Sequence, residues 1–191
     1  ERAANQVNGW VADQTRDLIE EIVTPDTFNA NSRLALVNTL YMKADWAVPF
    51  DGGMTWEQPF TLVDGSQVDV EMMNGGIRRG LAYEGDDLVA AVLPYAFDEL
   101  SMTLIVPRDG QFEPVRDGLD QAALDAIWDG ARDTEYTLGL PRFEAESATN
   151  LRDVIEGDLG VDGLFGVEGL DGIAPQLEVS SALHATKVIV D

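Results

Sequence analysis

A single histidine, His184, occurs in the 191 residues, so any imidazole chemistry would pass through it. Ser180 and Ser181 precede it closely, yet neighbours along one strand mostly face apart. No G-x-S-x-G elbow presents a serine nucleophile. A general base must reach its nucleophile within hydrogen-bond distance, so a lone histidine in an apolar strand reads first as a hydrogen-bonded core group. Cysteine is absent, which removes disulfides, thiolate zinc sites and a cysteine nucleophile. There is no H-E-x-x-H motif either. The acid-rich stretch Asp158 to Asp171 invites a calcium loop. Counted from Asp158, however, the third position is Gly160 and the twelfth Gly169, where an EF-hand needs an oxygen ligand and a glutamate. No glycine-rich phosphate loop opens a helix. With 35 acidic residues, a glycosidase-like carboxylate pair stays open as one reading, that of an acidic hydrolase. These residues imply no metal and no cofactor, and by themselves they specify no enzyme.

The charge is one-sided: 35 acids against 12 bases leave −23. Two of the bases are lysines, Lys43 and Lys187, and the rest are arginines. Such an excess repels phosphate backbones and anionic bilayers, so neither nucleic acid nor a membrane surface is an expected partner. It also repels itself, and concentrated salt screens that repulsion to within a few Å. Two origins fit: a generally acidic soluble protein, or a chain from a high-salt setting. No apolar run approaches the ~18 residues of a membrane span. The first residue is Glu1 and not Met, so the lack of a visible signal peptide carries no information.

The elements that would position these groups follow from periodicity. Residues 3–23 read as helical, with Val7, Trp10, Val11, Leu18, Ile19 and Ile22 at roughly helical spacing; Thr24-Pro25-Asp26 ends them. Ser32 to Tyr41 is apolar on both faces around a lone Asn38, which predicts a strand covered on both sides. Phe60 to Val63, Asp64-Gly65 and Gln67 to Met72 predict a hairpin. Leu88 to Leu93 and Met102 to Val106 predict two more strands, and residues 112–129 one helix. Tyr136 to Phe143 predicts a strand, Thr149 to Leu159 a short helix, and Leu177 to Val190 a last extended segment. Glycine recurs every third residue from Gly157 to Gly172, but too briefly and with too little proline for collagen, so this is a loop-rich stretch. Helices and strands interleave without βαβ regularity, which predicts an α+β class in a single domain over 1–191. Both ends look cut. Glu1 starts inside a helical pattern and Asp191 closes an apolar segment without a turn.

Several strings in order resemble the serpin family. Val7-Asn8-Gly9-Trp10-Val11, then Thr15 and Ile19, is similar to I-N-x-W-V with its following T and I. Leu36-Val37-Asn38-Thr39-Leu40-Tyr41-Met42-Lys43-Ala44-Asp45-Trp46 with Pro49-Phe50 resembles L-V-N-A-I-Y-F-K-G-x-W-x-x-P-F, departing at Met42 and Ala44. Thr55, Phe60, Val68, Val70 and Met72-Met73 continue the likeness, as do Leu93-Pro94-Tyr95, Ser101-Met102 and Ile105-Val106-Pro107. Leu140-Pro141-Arg142-Phe143 is similar to L-P-K-F. Leu151, Leu159-Gly160 and Phe165 resemble the helix and L-G-I…F beyond it, and Val179 to Asp191 resembles V-S-x-x-x-H-K-A-x-I-E-V-D.

The resemblance implies an incomplete serpin fold that lacks the family's N-terminal helices and, after Asp191, its hinge, reactive loop and C-terminal strands. It implies a protease inhibitor that acts by trapping. A target protease, serine or cysteine, cleaves the loop, which then inserts into the main sheet as a new strand. It implies that no residue is catalytic and that the reactive bond lies beyond Asp191. By resemblance, Asn38 and His184 are shutter positions holding Leu34–Tyr41 to Leu177–Val190, through a mutual or relayed contact. Trp46 is the aromatic where the loop first enters, and Arg142 stands where a lysine pairs with a hinge glutamate. The missing remainder of the chain is itself an implied partner, without which residues 1–191 are expected not to form a stable monomer. The family favours a secreted protein. A non-inhibitory carrier or chaperone of the same fold is the alternative.

Overall fold

The computed structural model describes every residue except Asp98, Asp162, Val167, Glu168, Gly169, Asp171 and Ala174. Its contacts fall into two compact units, Glu1–Met42 with Phe143–Asp191, and Lys43–Arg142.

In the first unit, helix α1 spans Arg2–Thr15 and buries Ala4, Val11 and Thr15 along one face. The helix is shorter than the predicted 3–23. Arg16 (φ 56°) and Asp17 (φ 60°) are both left-handed and turn the chain back, a conformation that costs a non-glycine residue about 1–2 kcal/mol. Hydrogen bonds offset this. The Thr15 hydroxyl donates to the Val11 carbonyl at 2.8 Å and accepts from the Ile19 amide at 3.1 Å. The Asn8 side chain donates to the Val23 carbonyl at 2.8 Å and accepts from the Ile22 and Val23 amides, each at 3.1 Å. Ile19 and Ile22 therefore lie on a returning strap and not on the helix.

The predicted strand from Ser32 to Tyr41 has no ladder partner among the described residues. A strand apolar on both faces needs cover on both; here Leu36 is 85% and Leu40 91% exposed. The two strands that do pair in this unit were recognised only in part. Strand β6, Phe143–Asn150, is antiparallel to β7, Leu183–Val190, in the register Glu146↔Lys187 and Thr149↔His184. Thr149 and Asn150 thus end a strand where a helix start was expected, and a π-helical turn, Val154–Asp158, follows. The last strand begins at Leu183, later than the predicted Leu177.

The second unit is a five-stranded sheet ordered β1-β2-β3-β4, with β5 also on β2. Strands β1 (Thr55–Thr61) and β2 (Gln67–Glu84) form the predicted hairpin. Gly65 supplies the positive φ of 83° that the turn requires. Strands β3 (Leu88–Pro94) and β4 (Ser101–Pro107) follow as expected. The predicted 112–129 helix is two, α2 (Phe112–Asp117) and α3 (Gln121–Gly130), because Asp120 caps α3 through the Ala123 amide at 2.8 Å. Strand β5, Arg132–Pro141, runs along β2 with a bulge between Asn74 and Gly76. Met73, Ala90, Leu93, Ile127 and Leu140 are buried in this unit.

Candidate functional site

The four residues singled out by resemblance sit in different local settings. His184 is exposed on β7, opposite Thr149. Asn38 is exposed in the unpaired extended segment. No hydrogen bond joins them among the described residues. The physical reason is that Leu34–Tyr41 forms no ladder with β7, so neither side chain is enclosed. Neither Ser180 nor Ser181 is hydrogen-bonded to His184, and no group of three metal-ligating side chains forms among the described residues.

Trp46 is built in more firmly. Its backbone bridges antiparallel to Tyr95. The Ala47 amide donates to the Pro94 carbonyl at 3.0 Å and the Ala96 amide to the Asp45 carbonyl at 2.8 Å. The indole stacks on Tyr95 with ring centroids 5.0 Å apart and 17° between planes. Phe50 meets it edge-on at 6.2 Å and 81°. Burial pushes the Tyr95 phenol up, as expected of a hydroxyl with less water around it.

Arg142 sits between β5 and β6. Its amide donates to the Glu71 carbonyl at 2.8 Å and its guanidinium lies 3.6 Å from the Glu71 carboxylate. The family partner expected for this position is a hinge glutamate; in this structure Glu71 of β2 occupies it. Both side chains are substantially exposed, so the pair is worth about 0–1 kcal/mol.

Two arrangements escaped the sequence reading. Lys187 lies 2.5 Å from a carboxylate oxygen of Glu144 and 2.5 Å from one of Glu146. Hydrogen bonds donated to Glu144, then to Glu146, hold this ammonium charged well beyond the usual lysine range, and the lysine holds Glu146 below the usual carboxylate range. A cleft of about 490 Å3 beside them is lined by Asp17–Glu21 of the strap and by residues of β6 and β7. The signal was one of only two lysines, opposite glutamates at alternate positions. The second arrangement is Asn8 and Thr15, which anchor the strap; their place inside the N-x-W-V…T…I string was the available clue.

An acidic hydrolase would need a carboxyl pushed up into the range of a general acid. The displaced carboxyls Asp64, Asp117 and Glu146 all move down, led by hydrogen bonds from Ser66, Arg116 and Lys187. Among the described residues, then, no displaced carboxyl moves in the direction that a general acid needs.

The model of the family described as Serpin (serine protease inhibitor) matches residues 1–191. The chain belongs to the serpin family. An uncharacterised serpin-like protein of Thermococcus kodakarensis is 31% identical over 190 residues, covering 98% of this chain and 43% of that protein. Among solved structures, serine protease inhibitor (serpin) 12 of Manduca sexta superposes with a TM-score of 0.86 at 27% identity, over 100% of this chain and 55% of that one. Thyroxine-binding globulin in complex with thyroxine superposes with a TM-score of 0.88 at 20% identity, covering 100% of this chain and 52% of its own, a likeness of fold alone. This serpin chain thus spans about half the length of the proteins it matches, and the expected α+β class is borne out as part of the serpin fold. Serpins are inhibitors or carriers and not catalysts.

Proposed function

We propose that this serpin segment serves a suicide protease inhibitor, supplying part of the sheet that receives the cleaved reactive loop. One observation carries the reading. The model of the family described as Serpin (serine protease inhibitor) matches the whole of residues 1–191, and β6 and β7 form an antiparallel pair to which a further strand can add. Unpaired backbone amides and carbonyls gain hydrogen bonds when a strand is added, and that gain is the driving force that trapping requires.

In this reading the protease cleaves the loop and stays attached as an acyl-enzyme while the loop inserts. Asn38 and His184 act as shutter residues, closing on one another in the pairing of their strands. Trp46 receives the loop where it enters, and Arg142 exchanges Glu71 for the hinge glutamate. The domain is one serpin domain of which residues 1–191 are the central part. The target protease is the partner, and the acid excess suits a high-salt medium.

The test is to mix the protein at its natural length, in molar salt, with trypsin-, chymotrypsin- and subtilisin-type proteases and to separate the products on a denaturing gel. A covalent complex with any one supports trapping. Cleavage without a complex at every ratio supports the carrier alternative instead.

A further inference from the structure

Arg78 of β2 is held unlike the chain's paired arginines. Arg79, Arg108, Arg116, Arg142 and Arg152 each face a carboxylate, whereas Arg78 faces none among the described residues. Its guanidinium donates to the Val48 carbonyl at 2.8 Å and to the Pro49 carbonyl at 3.3 Å. It also lies 4.1 Å from the Phe50 ring centroid, in cation–π range. Its Nε is buried without a hydrogen-bond partner, and burial pulls its pKa down. In a chain of net charge −23, a half-buried cation held by carbonyls and a ring, with no acid beside it among the described residues, is held there for shape.

The shape is specified on the other side as well. The β2 bulge sets Gly75 against the guanidinium, and a Cβ at Gly75 would overlap the Arg78 Nε. The positive φ of the bulge belongs to Gly76 (60°), so Gly75 is a glycine for space and not for backbone conformation. The segment carrying Trp46 is thereby attached twice, to the end of β3 through Tyr95 and to β2 through Arg78.

We propose that Arg78 is a positioning residue: it pins the turn Val48–Phe50 and, through the edge of Phe50, sets the pose of Trp46. The functional consequence rests on the trapping role proposed above, with Trp46 at the point of loop entry. A loosened Trp46 slows the start of insertion, so more acyl-enzyme hydrolyses and escapes.

The experiment uses the natural-length protein with every tryptophan except Trp46 replaced by phenylalanine. Emission and acrylamide quenching are compared for the parent, Arg78→Met, Arg78→Lys and Gly75→Ala. Arg78→Met and Gly75→Ala are expected to shift Trp46 emission to the red and expose it to quencher, with Arg78→Lys between them and the parent. The ratio of cleaved to trapped inhibitor is expected to rise by about tenfold in Arg78→Met, the effect of losing roughly one charge-assisted hydrogen bond. If Arg78→Met fails to fold, Gly75→Ala decides, since it keeps the charge and displaces only the guanidinium. Unchanged emission and quenching in a folded variant overturns the positioning role. Altered emission with an unchanged ratio overturns its link to trapping. A parent that traps no protease removes the trapping reading, while the emission result still decides whether Arg78 positions Trp46.

Discussion

Asn8 offers the sharpest quantitative test of how the strap is held. Its side chain makes three hydrogen bonds to backbone 14–15 residues along the chain. Each is worth about 0.5–1.5 kcal/mol net, so Asn8→Ala removes roughly 1.5–4.5 kcal/mol before water compensates. Asn8 is half-buried, and water reaching the freed groups brings the expected loss to about 2 kcal/mol, near a 30-fold change in equilibrium. Asn8→Asp keeps both acceptor bonds to the Ile22 and Val23 amides and loses the one donated to the Val23 carbonyl. Its loss is expected to be under half that of the alanine variant. Urea unfolding of the natural-length protein gives the global figure, and amide exchange at Ile22 and Val23 gives the local one. Protection at those two amides should fall about 30-fold in Asn8→Ala and persist in Asn8→Asp, because exchange follows the free energy of local opening. A cost for Asn8→Ala below about 0.5 kcal/mol, the level of an ordinary surface substitution, with protection unchanged, would refute the anchoring argument.

The Lys187 cluster predicts a pH dependence. Glu146 has its carboxyl held below 4.5, so its contribution is present above that value and lost as pH falls through the lowered one. Lys187 is held above 10.5, so its contribution is full below that value and lost only as pH rises through the raised one. The stability difference between the parent and Lys187→Met should therefore be constant through neutral pH and shrink at both extremes in pH-resolved unfolding curves. The charge of −23 predicts a rise in melting temperature from low to molar sodium chloride, as the Debye length falls from about 10 Å at 0.1 M to 3 Å; scanning calorimetry checks it, and a flat response would remove the high-salt reading.

The second unit was largely legible because its signals are local. Alternating strands bounded by turns, and Asp64-Gly65 between two of them, state the hairpin without reference to distant residues. The break between α2 and α3 was missed because Phe112, Val115 and Leu119 keep helical spacing before it and Leu124, Ile127 and Trp128 after it, while the deciding event is a cap by Asp120. The end of α1 was missed for the same reason. Leu18, Ile19 and Ile22 fit a helical period, but side-chain bonds from Thr15 and Asn8 redirect the backbone. At the candidate site, Trp46, Asn38, His184 and Arg142 came from ordered strings and not from chemistry. Asn38 and His184 are both exposed and share no hydrogen bond among the described residues, because Leu34–Tyr41 makes no ladder there. Glu71 as the partner of Arg142 depends on strand register, which a linear reading does not contain.

The 18-residue strand β2 imposes an order on synthesis. It pairs with β1 early, but its longest ladder is with β5, and residues 85–131 must be made before Arg132 emerges. At about 5–20 residues per second that is a wait of about 2–10 s. Throughout it, the β2 edge that takes β5, along which Ile77 and Leu81 lie 79% and 48% exposed in this structure, has no partner strand yet made for it. A nascent ribosome-bound chain is therefore most open to chaperone capture, or to pairing with another nascent copy, in the interval between β2 and β5.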